Sequence, residues 1–183
     1  MIDLAITADH IRTTLTAYLD RHPEEKPGLA PALDLLDAGA DLTSRKEFRG
    51  HATAGTILAD PNGRILHIHH LATGKWLLPG GHLESDDTTL LDAARRELTE
   101  ETGIPADTVT PVGEGPLHID VHPIGANDAK GEPDHQHIDF RFLFTTTADI
   151  GELQTEEVTD AAWRTADTLR DKRLKQRVTQ ALR

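Results

Sequence analysis

Cysteine, aromatic side chains and long apolar segments are scarce or absent in this sequence of 183 residues. It has no Cys and only four Phe, two Trp and one Tyr. Without cysteine, disulfide frameworks, thiolate metal sites and cysteine nucleophiles are excluded, so any metal must bind to oxygen or imidazole ligands. No stretch approaches the roughly 18 apolar residues that cross a bilayer, and Asp3 and Asp9 stand where a secretory signal needs basic residues. We expect a cytoplasmic chain without membrane contact.

Positive charge is also in short supply. The chain has 19 Lys and Arg against 31 Asp and Glu, which gives a formal net charge of −12. This excess of negative charge repels phosphate backbones and anionic lipids, so nucleic-acid polymers and membranes are disfavoured as partners. A divalent cation would remove that repulsion for a small phosphorylated ligand. The length predicts one domain with a small extension.

Residues 1–44 are predicted to form a helical hairpin. Apolar residues recur at helical spacing over residues 9–21 and again over residues 29–36, where Pro31 fits a first turn and Gly39 fits a left-handed cap. A segment this short cannot form a hydrophobic core of its own. It must pack on the rest of the chain or on a second copy, so the hairpin could cap a cleft, cover the sheet or form a homodimer.

The rest of the chain, residues 45–183, alternates between strand and helix patterns. The predicted strands cover residues 52–59, 64–70, 117–122, 137–145 and a short stretch at 161–163. Turn and cap residues bound a helix over residues 88–102, and a further helix closes the chain. Interspersed strands and helices predict an α/β fold, in which a mixed sheet carries helices on its faces.

The helix over residues 88–102 carries a cluster of glutamates. Because a helix turns by about 100° per residue, Glu97 and Glu101 lie about 40° apart, and Glu100 lies about 60° to the other side of Glu97. An adjoining apolar stripe consists of Leu91, Ala94 and Leu98. Burial of that stripe would hold the acids at the edge of a cleft. Like charges at this spacing repel one another, and a hard cation such as Mg²⁺ would reverse that cost.

A solvated acidic face is the ordinary meaning of clustered glutamates, but the flanking residues argue against it here. Pro79, Gly80 and Gly81 let a ligand approach the backbone closely, and Gly103 ends the helix directly after the acids. The segment Arg96–Ile104 reads Arg-Glu-Leu-Thr-Glu-Glu-Thr-Gly-Ile. It matches every defined position in the second half of the Nudix box, G-x5-E-x7-R-E-U-x-E-E-x-G-U, where U is apolar. The sequence therefore resembles the Nudix hydrolases.

The first half of the box departs from the family pattern. Asp87 stands where the box has Glu, and eight residues rather than seven separate it from Arg96. In the family this acid braces the loop, so the resemblance leaves the metal site intact and the loop geometry open. The box spans Gly81 to Ile104, and the likeness extends from about His51 to the closing helix. It implies a Nudix-like α/β/α sandwich and leaves residues 1–44 outside it.

The resemblance also implies a metal site. By position in the box, the ligands of Mg²⁺ or Mn²⁺ would be Glu97, Glu100 and Glu101. The carbonyl oxygen of Gly80 would be an additional ligand. Arg96 would orient Glu97, its neighbour in the chain.

The implied reaction is hydrolysis of a phosphoanhydride bond in a nucleoside diphosphate linked to another group X. Metal-activated water would attack a phosphorus atom and release two phosphate-bearing products. The proton would pass to Glu100 or Glu157, and Glu101 and Arg96 complete the catalytic set. Family members often supply a carboxylate about six residues before a late Trp, here Trp163, which points to Glu157 with Glu156 as the alternative.

Two other functions fit the resemblance less well. A Nudix-like protein that only binds a nucleotide or effector and regulates usually lacks box carboxylates, whereas all three remain here. An isomerase of diphosphate-bearing lipids is poorly supported because the chain has no cysteine. The group X stays open among nucleoside triphosphates, ADP-ribose, dinucleoside polyphosphates and nucleotide sugars.

The eleven histidines are unevenly placed. His118, Asp120 and His122 occupy alternate positions along one predicted strand, and His135, His137 and Asp139 occupy alternate positions along the next, so each trio points to one face. If these strands pair, the imidazoles could converge as a substrate-contacting wall or a second metal site; a polar sheet face with hydrogen-bonded imidazoles is the ordinary alternative. Three residues share one face of the second strand and are predicted to lie in the core: Phe140, Phe142 and Phe144.

Overall fold

The computed structural model describes residues 5–183. Residues 1–4, which include Asp3 of the segment predicted to lack a secretory signal, lie outside the described residues. The α-helices are α1 (Ala8–Arg21), α2 (Lys26–Asp37), α3 (Leu90–Thr102) and α4 (Lys172–Ala181). Over residues 5–183, every helix is too short or too polar to span a membrane.

Among the described residues, eight strands form one sheet. They are β1 (His51–Ala59), β2 (Ile65–His70), β3 (Lys75–Leu77), β4 (Gly80–His82), β5 (Val109–Pro111), β6 (His118–Ile124), β7 (His135–Thr146) and β8 (Val158–Arg164). The main order is β3-β2-β1-β7-β5, while β4 pairs with β1, β6 with β7 and β8 with β2. In the antiparallel β2–β8 pair, Ile65 lies opposite Arg164. The predicted mixed sheet with flanking helices is confirmed.

The described residues form two compact units, each assembled from three segments of the chain. Unit 1 contains the described residues up to Ala54, together with residues 82–93 and 119–140. Unit 2 contains residues 55–81, 94–118 and 141–183. The three box glutamates therefore belong to unit 2.

The predicted N-terminal hairpin consists of α1 and α2. Their buried residues are Ile11, Leu15 and Tyr18 in α1 and Leu29, Ala32 and Leu36 in α2. The Tyr18 hydroxyl donates to Glu25 Oε2 at 2.9 Å, which satisfies a buried carboxylate between the two helices. The prediction for Pro31 was wrong, because α2 begins at Lys26 and places this residue in the helix interior.

The hairpin packs on later residues of the same chain within unit 1. The Ile6 amide donates to the Asp87 carbonyl at 3.1 Å, and the Ala52 amide donates to the Leu42 carbonyl at 2.7 Å. The Leu90 amide donates to His10 Nε2 at 3.2 Å, so a ring from α1 satisfies an N–H in the first turn of α3. Burial lowers the pKa of His10, which keeps the ring neutral and able to accept this bond.

Local sequence sets both ends of α3. The Thr89 hydroxyl accepts the Asp92 amide at 3.0 Å, and the Asp92 carboxylate accepts the Thr89 hydroxyl at 2.9 Å, a reciprocal cap close to the predicted start. The helix ends at Thr102, and Gly103 follows with a left-handed φ of 69°. The prediction for this helix is confirmed to within two residues.

The core of unit 2 is built from strands, a loop and the closing helix. It contains Ile57, Ala59, Ile65, Leu143, Leu169, Leu174 and Val178. The predicted burial of the three phenylalanines along β7 is also confirmed: Phe140, Phe142 and Phe144. Since burying a side chain of this size contributes roughly 1.5–3 kcal/mol, β7 is a major source of stability.

Gly103 gives a test of how tightly α3 is joined to the loop after residue 150. A Cβ at Gly103 would lie 2.5 Å from the Glu152 backbone nitrogen, whereas a Cβ at Gly113, whose φ is 78°, would meet open space. We expect Gly113→Ala to lower the free energy of unfolding by about 1 kcal/mol, the cost of the left-handed backbone alone. Gly103→Ala should lower it by at least about twice as much, as measured by urea denaturation. Equal losses would contradict the close approach.

Candidate active site

Glu101 lies on the buried face of α3 in unit 2. It shares that face with Leu90, Ala94 and Leu98, and only 2% of Glu101 is exposed. One carboxylate oxygen, Oε2, accepts the Gly80 amide at 3.0 Å. The predicted apolar stripe is thus present, with Leu90 in place of the half-buried Leu91, and it draws Glu101 into the interior.

Glu97 approaches the backbone of Gly81. A Cβ built on Gly81 would lie 2.5 Å from Glu97 Oε1, so a glycine is required for the carboxylate to occupy this place. The glycine pair was predicted to admit a ligand to the backbone, and in the structure it admits the Glu97 side chain. The loop and the helix are therefore fitted to each other around two carboxylates.

Arg96 connects the other two acids of the box. Its NH1 nitrogen lies 3.0 Å from Glu97 Oε1 and 3.0 Å from Glu100 Oε2. The Glu100 side chain is 46% exposed, whereas that of Glu97 is 12% exposed. One guanidinium thus fixes a buried acid and a solvent-facing acid side by side, which is the contact that the resemblance implied for Arg96 and Glu97.

Burial perturbs two of these carboxylates strongly. It raises the pKa of Glu97 to about 7, against the opposing effect of Arg96. Burial also raises the pKa of Glu101 to about 8, and the negative charge of Glu97 adds to the rise. The charged form of both carboxylates is destabilised here, and such perturbed carboxylates are common in binding and catalytic sites.

Glu157 is the loop carboxylate that acts on this group. Its charge contributes to the raised pKa of both Glu97 and Glu101. The loop is fixed to the end of α3, because the Gln154 amide donates to the Glu101 carbonyl at 3.3 Å and the Glu157 amide donates to the Gln154 carbonyl at 3.1 Å. Glu156 and Glu157 are both exposed, and of the two it is the charge of Glu157 that acts on Glu97 and Glu101.

Asp87, the residue that departs from the box, braces its own loop. Its Oδ2 accepts the Glu84 amide at 2.8 Å, and 4% of the residue is exposed. A shorter acid therefore closes the turn before α3 by a direct bond to the backbone.

The structure brings together some, but not all, of the histidines that the sequence indicates could converge. Strand β6 pairs with β7, and the rings of His122 and His137 lie 5.9 Å apart, while those of His135 and His137 lie 5.1 Å apart. His118 does not join this group: its Nδ1 lies 3.1 Å from Arg141 NH1 and its Nε2 lies 3.6 Å from Asp171. The pairing brings His122 together with both His135 and His137, whereas His118, at the other end of β6, belongs to unit 2.

Sequence reasoning missed two members of the histidine group. His51 begins β1 and His82 ends β4, and their rings lie 5.2 Å apart. The His51 ring also lies 4.9 Å from that of His137. Neither residue alternates with another histidine in its own strand, so only the pairing of β1 with β7 and β4 could reveal them.

Comparison with known proteins agrees with this architecture. A NUDIX domain model matches residues 49–182. The chain is 30% identical over 135 residues to the Probable DHNTP pyrophosphohydrolase of Lactococcus lactis, covering 71% of this chain and 75% of that protein. It is 44% identical over 61 residues to Phosphatase NudJ of Escherichia coli, a match that spans 32% of this chain and only 39% of NudJ.

Solved structures show the same fold at low sequence identity. A NUDIX-family hydrolase from Clostridium perfringens covers 72% of this chain and 95% of its own, with a TM-score of 0.54 and 22% identity. The E. coli dihydroneopterin triphosphate pyrophosphohydrolase covers 72% of this chain and 94% of its own, with a TM-score of 0.54 and 17% identity. The matched domain and the aligned relatives lead to one conclusion: the chain belongs to the Nudix family and is a Nudix hydrolase.

Proposed function

We propose that this Nudix hydrolase cleaves the phosphoanhydride bond of a nucleoside diphosphate linked to another group X, and that it requires Mg²⁺ or Mn²⁺. The observation that carries the proposal is the burial of Glu97 and Glu101 side by side against the Gly80-Gly81 backbone. The names of the relatives, a pyrophosphohydrolase and a phosphatase, support hydrolysis of a pyrophosphate bond.

The side chains at this site fit a hard divalent cation. Carboxylate and carbonyl oxygens are the donors that Mg²⁺ prefers. Two buried carboxylates that repel each other hold raised pKa values, and a cation between them would reverse both the burial cost and the repulsion. Glu97, Glu100 and Glu101 would hold the ion, with the Gly80 carbonyl as a further ligand.

Each residue of the proposed site then has a defined part in the reaction. When bound, the cation neutralises substrate phosphates and lowers the pKa of water. Arg96 holds Glu97 and Glu100 in register. A carboxylate oxygen of Glu157 or Glu100 accepts the proton of the attacking water while the water oxygen bonds to phosphorus. The bridging P–O bond breaks, its electron pair stays on the leaving phosphate oxygen, and two phosphate-bearing products form.

The substrate class follows from charge and from the relatives. A chain with a net charge of −12 needs the cation to accept a polyphosphate. The relative that aligns over most of its length is named a DHNTP pyrophosphohydrolase, so that triphosphate is the first compound of a screen. The structures of an Ap4A hydrolase complex and of a NUDIX domain with ADP ribose add those two ligands to the screen. A non-catalytic, effector-binding role is the alternative.

The proposal also covers organisation and location. Residues 45–183 would form the Nudix domain and residues 1–44 an extension, a division supported by the family model that begins at residue 49. The cytoplasm is the proposed compartment on composition alone. A homodimer is a further possibility, in addition to the contacts that the extension makes within unit 1.

Loss of a box carboxylate tests the enzymatic role. We expect Glu101→Gln and Glu100→Gln to lower kcat by at least about 100-fold on the best screened substrate. Each substitution removes the negative charge of a carboxylate proposed to bind the metal ion. The exposed Glu114→Gln is the matched control and should keep wild-type turnover. Phosphate release with a coupled phosphatase, with and without Mg²⁺, provides the measurement. Near-normal turnover in both box variants, or no turnover by the wild type on any compound, would favour the binding role.

The two neighbouring loop acids provide an internal comparison. If Glu157 accepts the proton, Glu157→Gln should lower kcat by about 10²–10⁴-fold with little change in KM, whereas Glu156→Gln should stay near the wild type. The reverse ranking of the two variants would assign the role to Glu156.

Without divalent cations, the buried carboxylates should make stability fall as pH rises. Between about pH 4.5 and 8 the folded chain keeps a proton on Glu101 that the unfolded chain has lost, so the free energy of unfolding declines across this window. Glu101→Gln cannot ionise and escapes this decline. In the presence of a chelator, the free energy of unfolding of the variant should rise relative to that of the wild type by more than about 1 kcal/mol between pH 5 and pH 8.5. Parallel urea-denaturation profiles would contradict the burial of an ionisable Glu101.

A further inference from the structure

Unit 1 contains a second cluster of metal-binding side chains, which shares no residue with the proposed carboxylate site. Five imidazoles belong to it: His51, His82, His122, His135 and His137. Within it, one ligand nitrogen from each of His51, His135 and His137 lies within 4.8 Å of the others. We propose that these three side chains bind a zinc ion, a structural site that clamps the first residues of β1 to the first residues of β7.

Backbone carbonyls fix the tautomer of two rings. His51 Nδ1 lies 3.1 Å from the Glu47 carbonyl oxygen, and His135 Nδ1 lies 2.8 Å from the Pro133 carbonyl oxygen. A carbonyl only accepts, so each Nδ1 carries the hydrogen and each Nε2 presents a bare lone pair. Zinc-binding histidines have this arrangement, since their second nitrogen donates to a carbonyl or carboxylate that orients the ring.

The environment of the Nε2 nitrogens in these rings indicates a shared metal ion. His51 is 1% exposed, and its Nε2 has no hydrogen-bond partner among residues 5–183. His135 Nε2 lies 3.2 Å from His137 Nε2. A buried nitrogen without a partner, as at His51, is rare in folded proteins, and an ion between the rings would bind it together with the Nε2 nitrogens of His135 and His137.

The spacing and donor type favour zinc over the hard cations. Zinc–nitrogen bonds of about 2.0–2.1 Å in a tetrahedron place two ligand nitrogens about 3.4 Å apart, close to the observed separation of the His135 and His137 nitrogens. Imidazole suits zinc, whereas Mg²⁺ prefers oxygen. Three histidines leave a fourth position that water or the imidazole of His82, whose ring lies 5.2 Å from those of His51 and His137, could fill.

The protonation of the cluster favours metal binding, and the positive charge near it partly opposes a dication. Burial lowers the pKa of His137 to about 3 and that of His82 to about 4, and neighbouring imidazoles contribute in the same direction. These two rings are therefore neutral at neutral pH, the form that binds metal. Arg45 and Lys130 are close enough to act on His82, which opposes a dication. Glu132 offsets part of this charge through its ion pair with Arg45 at 3.2 Å.

Zinc binding by the full chain tests the proposal. The protein is stripped with a chelator, dialysed into millimolar Mg²⁺ to occupy carboxylate sites, and titrated with zinc while bound metal is counted. We expect one zinc ion per chain, a rise in Tm, and at least about 100-fold weaker binding in His137→Gln. The matched control is His122→Gln, a half-buried histidine of the neighbouring strand outside the trio, which should bind zinc nearly as the wild type does.

Each other outcome overturns the site. The proposal fails if the wild type retains no zinc or if His137→Gln binds it equally well. It also fails if Glu101→Gln loses the ion while His137→Gln keeps it, because the ion then belongs to the carboxylates. If His137→Gln does not fold, ring nitrogen NMR of the wild type replaces it. Zinc should shift the Nε2 signals of the trio and leave the Nδ1 protons of His51 and His135 in place, and unshifted signals refute the site.

Discussion

The approach of two glutamates to a pair of glycines is the constraint on which the candidate active site depends. Glu97 reaches the space that a side chain at position 81 would fill, and Glu101 accepts the Gly80 amide. Leu98 and Ala94 hold the helix in place by burial, so the acids cannot retreat into solvent. The same packing that stabilises unit 2 therefore concentrates negative charge, and this cost is what makes a divalent cation a fitting ligand.

Around these two glutamates, site residues that differ in exposure have different roles. Arg96 joins the buried Glu97 to the half-exposed Glu100, and the loop that carries Glu157 is bonded to the end of α3. The buried acids suit binding of an ion, and the exposed acids can exchange protons with water. In unit 1 a separate group of neutral imidazoles presents nitrogen donors instead of oxygen donors, so two chemically different ions could bind one chain without competing.

Much of the fold could be predicted because its signals are local. The caps of α3, the hairpin of α1 and α2 and the alternation along β7 depend on neighbours in the sequence, and the structure contains each of them. Strands β3, β4 and β5 are each three residues long, which is too short for an alternating pattern to be recognised in the sequence. Pro31 was misplaced because a single-turn helix leads into α2 and moves its start upstream.

The sequence by itself determined the family, the carboxylates of the box and the face of α3 on which they lie, because helical spacing converts residue order directly into position. Only the tertiary structure decided which carboxylates are buried, that Gly81 faces Glu97, and that His51 and His82 join His137 while His118 joins Asp171. Strand pairing between distant segments makes those choices, and no local pattern records the register of one strand against another.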